Sequence, residues 1–267
     1  GSASFQTSPT FFKTSDAGAT WQTMNFSAGP PFQADVFFLD TDTGFISDDA
    51  VLLKTMDGGS TFQPVNFGTG INSINDIYFI NSRVGFLATL WTSALPGPYV
   101  ENRIYKTTDQ GASWTLVHSD SDMGNNSFVF AGIVELLFVN DTLGFAVGGE
   151  GKMLKTTDGG ATWINIPNTL NDFNITDVDF LSATTGYICY AGEIYYTSDG
   201  MQTWQLLADP AHPYDFYSID MLDANLGYAA GHGIFKTVNG GGVTSARDIK
   251  DHLLVNIYPN PATERLF

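Results

Sequence analysis

Lys155-Thr-Thr-Asp-Gly-Gly-Ala-Thr-Trp163 is one copy of a stretch that recurs along nearly the whole chain. Further copies run from Lys13 to Trp21, Lys54 to Phe62, Lys106 to Trp114 and Tyr196 to Trp204, and a decayed sixth begins at Lys236. The anchoring residues are Asp16, Asp57, Asp109, Asp158, Asp199 and Asn239, at separations of 41, 52, 49, 41 and 40 residues. Self-similarity at a period of ~40–50 residues means a propeller, a solenoid or an array of one repeated unit.

Each copy reads as a hairpin turn. Thr or Ser and Asp hydrogen-bond nearby backbone amides and close the turn, and Gly supplies the positive φ that such turns need. The Trp or Phe that follows (Trp21, Phe62, Trp114, Trp163, Trp204) opens the next strand and offers a large apolar surface to a neighbouring sheet. Five matches in register resemble the Asp-box (BNR-type) family, whose consensus is Ser/Thr-x-Asp-x-Gly-x-Thr-Trp/Phe. The resemblance implies that the box joins the third and fourth strands of a β-propeller blade.

A second repeated element is a Gly-Phe or Gly-Tyr pair after an apolar strand: Gly44-Phe45, Gly85-Phe86, Gly144-Phe145, Gly186-Tyr187 and Gly227-Tyr228. The pairs follow the preceding box Asp by 28, 28, 35, 28 and 28 residues. Each full unit reads as four strands, in the best copy about 176–181, 187–191, 193–197 and 203–207. Period-2 alternation marks the first of them, and helical periodicity is absent. The expected fold is all-β: a propeller of four-stranded antiparallel blades over residues 1–242. Two strands near residues 10–14 and 20–24 complete a blade whose first half is missing, and the last unit, about Phe216 to Val238, has three strands. Six blades in a longer parent chain are therefore expected, with five blades and an irregular N-terminal half-blade as the alternative.

After Gly242 the composition changes. Residues 243–251 form a polar linker. Residues 252–267, with Tyr258-Pro-Asn-Pro-Ala262 preceded by an apolar strand, resemble the start of the C-terminal sorting domain of Bacteroidetes type IX secretion cargo. That resemblance implies export machinery as a partner and a secreted or outer-membrane surface location.

The bulk numbers exclude several classes. A net charge of −17 repels phosphate backbones, so nucleic acid is not expected as a partner. No apolar run approaches the ~18–20 residues of a membrane helix. The start at Gly1, with no Met and no signal peptide, reads as a cleavage, cloning or fragment boundary. The single cysteine, Cys189, lies in an apolar run and reads as a buried thiol. A monomer is expected.

The box aspartates read as structural, because a residue repeated on the rim of every blade does not converge on one site. The breaks in spacing are more informative. About ten extra residues fall between the second and third strands of one blade, near residues 91–102, and about seven between that blade and the next, near 118–131. Both connections leave the same face, where loops on a rigid scaffold carry function. The expected binding residues are Trp91, Tyr99, Glu101, Arg103, His118, Asp120, Asp122 and Phe128, joined by His212 and Tyr214 from the last inter-blade loop. Asn125 lies in the same stretch, where Asp120 to Asn126 alternates oxygen donors but lacks the closing Glu of a calcium hand. No metal, cofactor or catalytic residue is assigned.

A sialidase is excluded, since its three-arginine cluster cannot be built from Arg83 and Arg103. The repeat most resembles non-enzymatic Asp-box propellers of the photosystem II stability and assembly factor type. That implies a scaffold binding a glycan, peptide or protein. The alternative is a glycoside hydrolase with a carboxylate pair ~5–10 Å apart on the insert-bearing face.

Overall fold

A computed structural model describes residues 10–16, 18–25, 35–67, 70–92, 100–122, 132–167, 170, 174–207, 216–231 and 233–240. The expected linker and sorting segment lie outside the described residues.

The strands form successive antiparallel meanders. β1 (Thr10–Lys13) pairs with β2 (Gln22–Asn25). Four complete four-stranded sheets follow. The first holds β3 (Val36–Phe38), β4 (Gly44–Asp48), β5 (Val51–Thr55) and β6 (Gln63–Val65). The second holds β7 (Ser73–Phe79), β8 (Gly85–Thr92), β9 (Val100–Thr107) and β10 (Thr115–Asp122). The third holds β11 (Ile133–Phe138), β12 (Gly144–Gly148), β13 (Met153–Thr156) and β14 (Ile164–Asn165). The fourth holds β15 (Ile175–Phe180), β16 (Gly186–Tyr190), β17 (Glu193–Thr197) and β18 (Gln205–Leu206). A three-stranded sheet of β19 (Phe216–Met221), β20 (Gly227–Gly231) and β21 (Ile234–Thr237) ends the described chain. First strands of successive sheets lie side by side, β7 against β11, β11 against β15 and β15 against β19. The fold is a β-propeller of four-stranded antiparallel blades.

The repeated residues build the seams between blades. In each complete blade the first strand ends in Phe38, Phe79, Phe138 or Phe180, opposite the Gly of the Gly-Phe/Tyr pair. The ring lies flat on that Gly, so a Cβ at Gly85 would come within 2.4 Å of Phe79. The aromatic after the Gly stacks on the next blade's Phe: Phe45 on Phe79 at 5.0 Å, Phe86 on Phe138 at 4.7 Å and Phe145 on Phe180 at 4.1 Å. A box Trp closes the joint edge-on, Trp114 over Phe45 and Phe79, Trp163 over Phe86 and Phe138. Each such ring pair adds ~0.5–1.5 kcal/mol beyond burial. The box Lys then crosses the seam. Lys54 Nζ donates to Gln110 O at 2.7 Å and Lys106 Nζ to Gly159 O at 2.6 Å, each lying over a Phe ring of its own blade.

The box turn has the expected chemistry. Thr156 Oγ1 accepts from Gly160 N–H and donates to Asp158 Oδ1, both at 2.8 Å. Asp158 in turn accepts from Thr162 N–H at 2.9 Å and Thr162 Oγ1 at 2.6 Å. The same network surrounds Asp16, Asp57, Asp109 and Asp199. Gly160 has φ 74°, and a Cβ there would lie 2.3 Å from Phe86. At the matching place in the fourth complete blade Met201 keeps φ 75° with its side chain fully buried. It packs with Leu143 and Phe145, where the other copies need glycine.

One expectation is corrected. The extra residues after Phe86 and after Trp114 are not simply loops. β8, β9 and β10 are each eight residues long, and their ladders run out to Thr92 opposite Val100 and Asp122 opposite Val100. His118 to Asp122 therefore belong to a fourth strand, not to an inter-blade connection. Burial alternates along Val100 to Ile104, with Val100, Asn102 and Ile104 inward, so the extension keeps an apolar face.

Candidate functional site

The extended end of β8–β10 brings together five of the expected residues. Trp91 and Glu101 are direct cross-strand partners. Arg103, two residues along on the same side, lies over the Trp91 ring with Cζ 5.1 Å from its centroid and pairs Nη2 with Glu101 Oε2 at 2.9 Å. Ser119 Oγ on β10 donates to Glu101 Oε1. The Arg103 hydrogen bond, helped by Ser119, holds the Glu101 carboxyl below the usual glutamate range against partial burial. Gly70 lies beside the indole, where a Cβ would come 2.7 Å from Trp91 Nε1.

A second cluster flanks the first. Asp120 Oδ2 lies 3.4 Å from His118 Nε2 and 2.8 Å from Lys152 Nζ, which arrives from the next blade. Burial pushes the Asp120 carboxyl up, but the His118 and Lys152 contacts outweigh it and hold it low. Lys152 follows a single 3-10 turn, Gly149–Gly151, between β12 and β13. The two clusters form an amphoteric surface: one indole, two acids, one guanidinium, one ammonium and one imidazole.

Ser119, Gly70 and Lys152 were not expected at the site. Lys152 was within reach of the sequence, because it occupies the connection after a second strand, which shares a face with the extension. Asp122 lies on β10 opposite Val100. Tyr99, Asn125, Phe128, His212 and Tyr214 lie outside the described residues. Asp120, the first oxygen donor of the calcium-like stretch, is engaged by a lysine of the chain itself. Among the described residues no group of three or more His, Cys, Asp and Glu side chains is arranged to hold a metal ion. Arg83 lies in the turn between β7 and β8 and accepts Gln110 N–H on its carbonyl at 3.1 Å, whereas Arg103 sits mid-strand on β9. The two arginines do not converge.

A third acidic feature was missed by the sequence reading. Asp35, Asp76, Glu135 and Asp177 occupy one register, nine residues before the Gly of the Gly-Phe/Tyr pair in four successive blades. Each reaches across a seam to a backbone N–H of the next first strand. Asp35 Oδ2 accepts from Ile77 at 2.7 Å, Asp76 Oδ2 from Leu136 at 2.6 Å, Glu135 Oε2 from Val178 at 2.8 Å and Asp177 Oδ2 from Ile219 at 2.6 Å. Asp76 lies within hydrogen-bond reach of Asp35 and Glu135 within reach of Asp177, and Val178 N–H is shared by Glu135 Oε2 and Asp177 Oδ1 at 2.8 Å each. Carboxyls in direct contact are closer than either glycosidase spacing, ~5–5.5 or ~6.5–9.5 Å. These pairs do not have the geometry of a glycoside hydrolase.

The sequence matches no protein-family model and no curated protein sequence. Solved structures do match in fold. YCF48 from Cyanidioschyzon merolae superposes with a TM-score of 0.56 at 14% identity, over 88% of this chain and 78% of that one. A GH74 enzyme from Niastella koreensis gives 0.55 at 18% identity, over 88% of this chain and 34% of its own. The extracellular domain of the putative one component system BT4673 from B. thetaiotaomicron gives 0.57 at 9%, over 81% of this chain and 28% of its own. The chain thus spans about a third of the last two. At these identities the likeness is one of fold.

Proposed function

We propose that this chain is an Asp-box propeller that binds a peptide or protein segment on the extended β8–β10 end. The observation that carries the reading is that extension: only this blade of the described residues lengthens three adjacent strands to eight residues. It presents Trp91, Glu101, Arg103 and Asp120 together, with Lys152 from the next blade. Paired charges of both signs around one indole suit a peptide's mixed amides and side chains. A sugar platform needs an open aromatic face, and the Trp91 face carries Arg103. A propeller of six blades in the whole protein and a secreted or cell-surface location fit this reading.

Panning a random dodecapeptide display library and a glycan array against the whole chain tests it. Peptides captured by the wild type are expected to lose at least about tenfold in affinity in Trp91→Ala and in Lys152→Ala, as for an anchor residue worth ~1.4 kcal/mol or more. Equal binding by both variants would remove the site from this surface, and glycan capture alone would reassign the ligand. The export reading is checked separately. Deleting residues 252–267 is expected to abolish surface delivery in a type IX-competent bacterium, and undiminished delivery would refute that role.

A further inference from the structure

The carboxyls that cross the seams, half-buried at Asp35, Asp76 and Glu135 and buried at Asp177, stand in pairs that require a proton. Each of Asp76, Glu135 and Asp177 sits opposite an apolar or thiol partner on the second strand of its own blade: Ala88, Val147 and Cys189, all fully buried. Two carboxyls in hydrogen-bond contact in such a place cannot both be ionised without strong repulsion. One of each pair must donate.

We propose that these carboxyls form a proton-operated latch between blades: one shared proton ties the stretch at Asp35 to β7, another ties β11 to β15, and removing those protons opens these two seams.

The bonding pattern assigns the roles. Asp35 accepts N–H groups on both oxygens, from Val36 and Ile77. Asp177 does the same, from Val178 and Ile219. Glu135 accepts only the Val178 N–H among the described bonds, so Asp177 is the acceptor of that pair and Glu135 holds its proton, whereas Asp76 accepts from Leu136 and Ile77 much as Asp35 accepts from Val36 and Ile77, so that pair shares one proton. Burial, first, and then the adjoining carboxyls push Asp76 well above the usual aspartate range and Glu135 up to about 11. Among the described residues, the titratable groups facing the latch offer no compensating positive charge. Asp76 faces Asp35 across one seam and has Glu135 across the next. Glu135 faces Asp177 and, more weakly, Asp76. Asp177 is flanked by the Cys189 thiol, which burial pushes up, and by Asp179. Asp179 is raised to about 6 by burial, beside Asp220, while its Oδ2 accepts Met221 N–H across the next seam at 2.5 Å.

The direction of the pH effect follows. A carboxyl whose folded pKa lies above its unfolded value of ~4 stabilises the fold fully below that value, and loses this contribution as pH rises through the folded one. The latch is closed in mild acid and loosens on the alkaline side.

Urea midpoints of the whole chain from pH 5 to pH 9, for wild type and for Asp76→Asn/Glu135→Gln, test the proposal. The wild-type midpoint is expected to fall with pH, and the variant, whose amides donate without titrating, to fall at least about twofold less steeply. Parallel curves would overturn the latch and leave the general repulsion of a −17 chain as the cause. If the double variant does not fold, carbon-13 carboxyl titration of the wild type decides. Two carboxyl resonances are expected to stay in the protonated position at pH 7, and complete titration of every carboxyl by pH 6 would overturn the proposal.

Discussion

A rim carboxylate in this protein is the keystone of a turn. Asp158 gathers two N–H groups and two hydroxyls within 3.0 Å, from Thr156, Ala161 and Thr162. The decayed copy at Asn239 keeps the Thr237 contacts. The hydroxyls of Thr61, Ser113 and Thr203, followed by their own amides, hold Asp57, Asp109 and Asp199 down at about 2. A carboxyl depressed in the folded state stabilises above its unfolded value of ~3.9, and that stability is lost as pH falls through about 2. Asp158→Asn is expected to lower the melting temperature by several degrees at pH 7, and to melt with a shallower acid dependence between pH 4 and pH 2. Equal melting temperatures at pH 7 would mean that the carboxylate does not hold the turn. The structural role of Asp158 was legible from its repetition. The seam carboxyls were equally periodic, yet they stand at or inside first strands, each followed by an apolar residue (Val36, Ile77, Leu136, Val178). Repetition identifies a shared environment, and only the geometry says that this one is paired across the seams.

Between residues and the whole stands the strand. The four-strand grammar of each blade was legible because Gly-Phe/Tyr and the box bracket the second and third strands. In the best copy the third strand, Glu193–Thr197, falls on the expected residues, while the fourth shrinks to Gln205–Leu206 because Asp199 captures Thr203 into the turn. Spacing counts extra residues but says nothing of their conformation, so the extension of β8–β10 was read as loop. The alternation of Val100, Asn102 and Ile104 against Glu101 and Arg103 already carried the period of a half-buried strand. The pairing of Arg103 with Trp91 and Glu101 was not legible. It depends on a cross-strand register that places residues ten apart in sequence opposite each other. Lys152 adds a contact from the next blade, which no local pattern encodes.

Across the whole molecule the seams are unequal, and stability is expected to follow them. β12 and β16 are buried at every residue, whereas β20 alternates between buried and exposed and β21 has no fully buried residue. The last described sheet also loses its own repeated devices together. Met221 replaces the stacking Phe, Ser218 takes the place of the seam carboxyl and Asn239 that of the box Asp. Tyr217, Leu222 and Ile234 are more than half exposed there. In a repeat protein each unit is stabilised by its own packing and by its neighbours' interfaces, so opening begins where both are weakest. Amides of β12 and β16 are therefore expected to exchange at least about 100-fold more slowly than those of β20 and β21, because ~2.7 kcal/mol of extra opening energy corresponds to that ratio. Hydrogen–deuterium exchange followed by mass spectrometry at pH 5, where the carboxyl latch is closed, measures the order directly. Uniform protection from β3 to β21 would show that the blades open as one cooperative unit and that the aromatic and carboxyl seams do not rank their stability.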